Sequence, residues 1–139
     1  MDARPIFRTA EHGWRLVELF RNMLLREVDD RTLLLAQATP RKWLEDGQKI
    51  DVQRAPTYFG PVSFRMESRV RAGKILAAIE FLGTNRPQSL LIRFRHPQDT
   101  EMRSVEVDGQ DWKDFDAGKE WVRIQNPRHN RYSVVVDYL

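Results

Sequence analysis

The chain has 139 residues, the size of one domain, and its 41% hydrophobic content with 10% aromatic residues can fill a core, which excludes an intrinsically disordered chain. It has no cysteine, which excludes disulfides, thiolate zinc sites and cysteine nucleophiles. The formal charge of +3 arises from 23 basic and 20 acidic residues that are interspersed, which is typical of a solvated surface and not of a nucleic-acid-binding stripe.

The first predicted element is an amphipathic helix from about Thr9 to Val28. Its apolar residues recur at spacings of three and four, the period of a helix that buries one face. Asp29-Asp30 follows as an exit turn. We therefore read residues 1–139 as a single domain, with a helical segment at 1–30 and sheets at 31–139. The apolar stripe consists of Trp14, Val17, Phe20, Leu24 and Val28.

A short apolar run and one helical turn come next. The run from Thr32 to Gln37 is almost continuously apolar, which is typical of a strand buried on both sides. In the segment 39–47 a proline and a glycine stand where a helical turn begins and ends. We expect Thr39 to cap this turn, with Trp43 and Leu44 packing inward.

From Ile50 onward the chain reads as short strands with turn residues between them. Residues 62–70 alternate apolar and polar side chains, the period of a strand with one buried face. Asp108-Gly109 is a type I′ hairpin signal. The pattern predicts a mainly β fold, an antiparallel β-sandwich of about eight or nine strands beside one N-terminal amphipathic helix. The other strands are predicted at 50–54, 74–81, 89–95, 103–107, 110–113, 120–124 and 131–138.

Residues that could carry chemistry are scattered. His12, His96 and His129 lie in separate elements and not at a metal-ligand spacing. Paired carboxylates such as Glu45-Asp46 stand in turns, where Asp bonds its own backbone, and there is no Gly-x-Ser-x-Gly motif. No run approaches the roughly 20 apolar residues of a membrane span. We expect no catalytic residue, metal or cofactor, and neither nucleic acid nor membrane as a partner.

Four aromatic residues fall outside the regular alternation or at its edge. Trp112, Trp121, Tyr58 and Phe59 could stack on sugar rings if they are exposed at loop ends. Packing in the core or against one another is the more frequent role of such side chains. The sequence leaves both interpretations open.

Most of the chain resembles the β-sandwich module that follows the catalytic domain in bacterial (α/α)6-barrel glycoside hydrolases. The resemblance rests on weak matches in order and not on one diagnostic motif. They are Arg21-Asn-Met-Leu24, Arg26-Glu27, Leu33-Leu-Leu-Ala36, Thr39-Pro-Arg41, Trp43-Leu-Glu-Asp-Gly47, Ala55-Pro-Thr-Tyr-Phe-Gly60, Glu67-Ser68, Arg93-Phe-Arg-His-Pro97, Val105-Glu-Val-Asp-Gly109, Trp112 and Phe115-Asp116.

The resemblance implies a non-catalytic accessory module. In such enzymes the catalytic carboxylates belong to the helical barrel, so no catalytic residue is carried over to this chain. Its partner would be that helical domain, or a second copy of the chain if the same surface drives self-association. The alternative is a carbohydrate-binding domain that uses the four aromatic residues. The predicted interface consists of Trp14, Val17, Phe20, Leu24 and Trp43.

Overall fold

The computed structural model describes residues 23–139, which form a mainly β fold with two sheets. The five-stranded sheet has the strand order β1-β2-β6-β10-β9, and the six-stranded sheet has the order β3-β4-β5-β11-β7-β8. The strands are β1 (Leu25–Glu27), β2 (Thr32–Leu35), β3 (Lys49–Ala55), β4 (Val62–Arg69), β5 (Lys74–Phe81), β6 (Ser89–Arg93), β7 (Ser104–Val107), β8 (Gln110–Trp112), β9 (Phe115–Asp116), β10 (Trp121–Gln125) and β11 (Arg131–Asp137).

One hydrophobic core joins the two sheets into a sandwich-like arrangement. Each long strand buries every second side chain, as the sequence alternation requires. Phe64 of β4 and Leu90 of β6 are almost completely buried in the same cluster, although they belong to different sheets. The mainly β prediction is therefore confirmed.

The predicted N-terminal helix is not supported. Its residues 9–22 lie outside the described part of the chain. Met23 and Leu24 have helical backbone, but Leu25–Glu27 forms β1, an edge strand that pairs with β2. Leu24 is fully buried, and Val28, which the helical stripe included, is 55% exposed. The prediction was wrong for 25–28 because pairing with β2 outweighs the local helical period.

Two further details differ from the prediction. The structure has eleven strands in the described residues instead of eight or nine, because the short strands β1 and β9 carry too few residues to show a pattern. The sheets are not wholly antiparallel, since β2 and β6 pair in parallel, with Leu34 opposite Leu91. Parallel strands are usually covered on both faces, and the apolar run at 32–37 predicted this for β2, but only Leu33 and Leu35 are buried, while Thr32 and Leu34 are partly exposed.

The turns follow the sequence closely. Asp108 and Gly109 both have positive φ angles, 51° and 80°, as a type I′ turn requires. The turn predicted at 39–47 is a 3₁₀ helix, Arg41–Leu44, and it buries Trp43 and Leu44 as expected. Its predicted cap was wrong: the Thr39 hydroxyl instead donates a hydrogen bond back to the Ala36 carbonyl, at 3.1 Å.

Candidate interaction site

The outer face of the five-stranded sheet carries an apolar patch, made of Val28, Leu34, Leu91 and Trp121. Leu34 and Leu91 lie opposite each other on the central parallel strands, and Trp121 follows on β10. These three side chains are partly exposed, and Val28 is 55% exposed. The four residues line a depression of ≈ 580 Å³. A sheet face exposed to water normally carries polar residues here, so the apolar patch is the clearest sign of a contact surface.

Cationic side chains surround the apolar patch. Arg93 and Lys119 line the depression itself. Arg26, opposite Leu34, and Lys119 form no ion pair within residues 23–139. Arg123 packs its guanidinium over the Trp121 ring, 5.4 Å from the centroid, and also pairs with Asp114 at 3.0 Å. The rim is therefore predominantly positive.

An ionic cluster lies beside the apolar patch, at the end of the sandwich where the 3₁₀ helix is. It consists of Arg41, Arg93, Arg95 and Glu120. Arg41 makes a bidentate contact with Glu120. Its two terminal nitrogens, Nη1 and Nη2, each donate to a different carboxylate oxygen at 2.8 Å. Arg41 also donates to the His96 carbonyl at 2.9 Å. This paired geometry is the strongest form of an arginine–carboxylate contact. It holds the 3₁₀ helix against the loops that follow β6 and precede β10.

Glu120 has an unusual backbone and a shifted pKa. Its φ angle is +63°, a left-handed conformation that costs a non-glycine residue about 1 kcal/mol or more. Burial by itself raises the pKa of the Glu120 carboxyl, but the hydrogen bonds from Arg41 and the charges of Arg93 and Arg95 outweigh it and lower the pKa. The carboxylate is therefore charged and offsets three arginines at once.

Arg93 and Arg95 hold the loop after β2 through its backbone. Arg93 donates to the Gln37 carbonyl and Arg95 to the Thr39 carbonyl, both at 3.0 Å. Burial lowers the pKa of Arg95, with the Arg41 and Arg93 charges acting in the same direction. The two arginines thus fix the segment that leads from the apolar patch to the 3₁₀ helix.

His96 and Tyr138 cover the inner side of the ionic cluster. Their rings meet edge to face with centroids 4.6 Å apart, and both residues are buried. Burial lowers the pKa of His96, and the Arg41 charge lowers it further. Burial also raises the pKa of the Tyr138 hydroxyl. Both side chains are therefore neutral at pH 7, which suits a packing role beside charged groups.

The buried histidine predicts a pH dependence. Because the pKa of folded His96 lies below its ordinary value, the unfolded chain binds the proton first, and stability is lost as the pH falls below about 6.5. Glu120 acts in the same direction at lower pH, as its depressed pKa means that stability is lost below about 4.3.

We expect His96→Asn to flatten the fall of unfolding free energy between about pH 7 and pH 5, because it removes the proton linkage of this window. Asparagine can still accept the hydrogen bond that the Gln98 amide donates to His96 Nδ1. Urea titrations at a series of pH values measure this. His129→Asn is the matched control, since that side chain is exposed and lies away from the cluster. A wild-type slope in His96→Asn would contradict the assignment.

The predicted interface residues fall in two groups. Trp14, Val17 and Phe20 lie outside the described residues, so their role stays a prediction. Leu24 and Trp43 are described, and both belong to the core, at 0% and 5% exposure. This burial corrects their assignment to the interface, because neither side chain offers surface to a partner. For Trp43 it agrees with the inward packing predicted for the turn at 39–47.

The four predicted sugar-stacking residues do not form one surface. Tyr58 is 66% exposed, but neighbouring Phe59 is buried at 4% and its ring is turned by 66°. Trp112 is partly buried and donates from Nε1 to the Arg123 carbonyl at 2.9 Å, which joins the two sheets. Trp121 belongs to the apolar patch. Sugar stacking on these residues stays a prediction, and the geometry offers it no paired, coplanar rings.

Among residues 23–139 there is no group of three or more histidine or carboxylate side chains placed to hold a metal ion. No helix in the same residues is long and apolar enough to cross a membrane. No protein-family model matches this chain, and no curated protein matches it.

Sequence reasoning missed the ionic cluster. Arg41 and Glu120 are 79 positions apart, so no local spacing joins them. The one available signal was the pair Arg93 and Arg95 at alternate positions of a predicted strand, which places two guanidinium groups on one face. The partner carboxylate, Glu120, opens the strand predicted at 120–124, and no local pattern marks it as buried.

Proposed function

We propose that this chain is a non-catalytic accessory β-sandwich module that packs the apolar patch of its five-stranded sheet on a helical catalytic domain. The observation that carries the proposal is that Leu34, Leu91 and Trp121 line one depression on the outer face of that sheet, with Leu34 directly opposite Leu91. Central strands that are apolar on both faces are typical of a sheet covered by helices.

The surroundings of the apolar patch indicate the chemistry of the partner. Arg26 and Lys119 are exposed and unpaired within the described chain, and Arg93 and Arg123 add two more cations nearby. A helix that presents an apolar stripe flanked by Asp or Glu would fill the depression and meet the rim with opposite charge. The phosphate backbone of a nucleic acid could pair with the cationic rim but offers no apolar surface to cover the apolar patch.

The resemblance to the modules of (α/α)6-barrel glycoside hydrolases supplies the identity of the helical partner. In those enzymes a helical barrel precedes the sandwich in the chain. Here residues 1–22 precede β1, which is an edge strand of the five-stranded sheet. The ionic cluster then holds the adjoining loop rigid, so that the patch keeps its shape before docking.

A binding experiment with matched variants tests the proposal. The chain is mixed with each (α/α)6-barrel glycoside hydrolase domain encoded by the source organism and followed by sedimentation velocity. We expect one complex, which Leu91→Asp weakens at least about a hundredfold, since a buried unpaired carboxylate costs roughly 3 kcal/mol. Leu76→Asp is the control, because Leu76 is a partly exposed leucine on the outer face of the other sheet.

Three outcomes would overturn the proposal. They are the absence of any complex, a complex that Leu91→Asp leaves unchanged, and a complex that Leu76→Asp disrupts equally. Self-association of the chain that Leu91→Asp abolishes would make a second copy the occupant of the apolar patch instead of a helical domain.

A further inference from the structure

The outer face of the six-stranded sheet carries a groove that is separate from the apolar patch. Its floor consists of small residues on three neighbouring strands: Ser63 of β4, Ala78 of β5 and Ser133 of β11. Strand pairing places Ala78 between Arg65 and Ser133 in one row, while Glu80 lies between Ser63 and Arg131 in the next. Exposed positions in central strands usually favour larger β-branched or aromatic residues. The small floor leaves a depression of ≈ 360 Å³.

The walls of this groove carry charged side chains of both signs. Glu80 and Arg131 pair at 3.0 Å on one wall, and Arg65 stands on the β4 side. Asp108 closes the groove at the β7–β8 hairpin, where its carboxylate accepts a hydrogen bond from the Ser133 amide at 2.8 Å. Two arginines and two carboxylates give the lining a formal charge of zero. It can donate and accept hydrogen bonds without selecting an ion of either sign.

The groove continues along the same face. A second depression of ≈ 210 Å³ shares Arg65, Ala78 and Ser133 with the first and extends toward Glu67 and Leu76. A ligand that occupies both would lie along the strands, in an elongated path. The first depression alone reaches the lower end of the size range of small-molecule sites, about 300–1,000 Å³.

The position of the groove excludes capture of a peptide as an added strand. β4, β5 and β11 each pair with a neighbour on both sides, so their backbone groups are already bonded. Recognition here depends on side chains alone. A neutral ligand with many hydroxyl groups matches a lining of arginines, carboxylates and serines, because each hydroxyl both donates and accepts.

We propose that this groove binds a neutral, polyhydroxylated chain, such as a short oligosaccharide, at Arg65, Ala78, Glu80, Arg131 and Ser133. The site differs from the aromatic residues predicted from the sequence and does not depend on the apolar patch. If this groove bound no such ligand, the docking proposal would be unaffected. If the docking proposal failed, the groove proposal would be unaffected in turn.

Amide chemical shifts of the isotopically labelled chain test this site directly. The probes are cellohexaose, xylohexaose and mannohexaose, with the hexamer of galacturonic acid as the charged counterpart. At least one neutral probe is expected to shift the amides of Ser63, Ala78 and Ser133 in a saturable manner. Ala78→Leu should weaken that binding about tenfold or more by filling the floor, which is 1.4 kcal/mol or more in affinity. Ser104→Leu adds the same bulk at an exposed position of β7 and should bind as the wild type does.

The proposal is overturned if no neutral probe shifts these amides, or if the shifts centre on Tyr58 or Trp121. It is also overturned if Ala78→Leu binds as tightly as Ser104→Leu. If the galacturonate hexamer bound more tightly than every neutral probe, the claim that the groove selects neutral ligands would be refuted. Leu91→Asp should bind the neutral probe as the wild type does, which keeps this result separate from the docking experiment.

Discussion

Replacing Glu120 with alanine is expected to lower the free energy of unfolding by about 3 kcal/mol, the lower part of the range for breaking a buried ion pair. The side chain of Glu120 is 9% exposed, and it is the buried carboxylate that faces Arg41, Arg93 and Arg95. Removing the Glu120 carboxylate leaves three guanidinium groups close together. The remaining negative charge near Arg41 is Asp99, which is largely exposed and lies 3.3 Å from the Arg41 guanidinium. Urea unfolding at pH 7 measures the loss.

The backbone of Glu120 provides an internal comparison. Because its φ angle is +63°, Glu120→Gly removes the same carboxylate but relieves the left-handed conformation. We expect Glu120→Gly to be more stable than Glu120→Ala by about 1 kcal/mol. Glu106→Ala, at an exposed position of β7, is the control and should change stability by less than about 0.5 kcal/mol. Equal stability of Glu120→Ala and Glu106→Ala would refute the ionic cluster as a source of stability.

Trp43→Ala is expected to lower the free energy of unfolding by about 3–5 kcal/mol, the range for deleting a buried aromatic side chain. Trp43 is 5% exposed in the 3₁₀ helix and belongs to the core that joins the two sheets. The deletion removes apolar area from the core and leaves a cavity that the surrounding strands fill only in part. The effect is expected in the isolated chain, with no partner added.

Tyr58→Ala is the matched aromatic deletion. Tyr58 is 66% exposed in the loop between β3 and β4, so its loss should cost less than about 0.5 kcal/mol. Denaturant unfolding of both variants decides the role of Trp43. If Trp43→Ala were as stable as Tyr58→Ala in the isolated chain, Trp43 would be a contact residue for a partner, as the sequence alone suggested.

The sheets were predictable because their signals are local. β4 and β5 alternate over eight residues each, and Asp108-Gly109 fixes the hairpin that follows β7. The segment 25–28 was mispredicted because its apolar spacing fits a helix, while the bonds that make β1 a strand come from β2. The parallel pairing of β2 with β6 also depends on residues far apart in the chain, and no local pattern specifies it.

The interaction surfaces were harder to predict than the fold. The continuous apolar run at 32–37 signalled the strand β2 but not that Leu34 is partly exposed, because the side chains beside Leu34 come from β1 and β6. The groove on the six-stranded sheet depends on Ala78 lying between Arg65 and Ser133, which only the strand register establishes. When the order of strands in a sheet brings side chains together, their positions in the sequence show no regular spacing that would predict the contact.

The most direct test of the docking proposal is the unfolding free energy of Leu91→Asp in the isolated chain, measured beside that of Leu90→Asp. The two leucines are neighbours on β6, but Leu90 is fully buried in the core and Leu91 lies on the outer face. We predict that Leu90→Asp prevents folding, while Leu91→Asp lowers stability by less than about 1 kcal/mol. A loss of similar size in both variants would show that the chain itself covers the apolar patch, which would contradict a free docking surface.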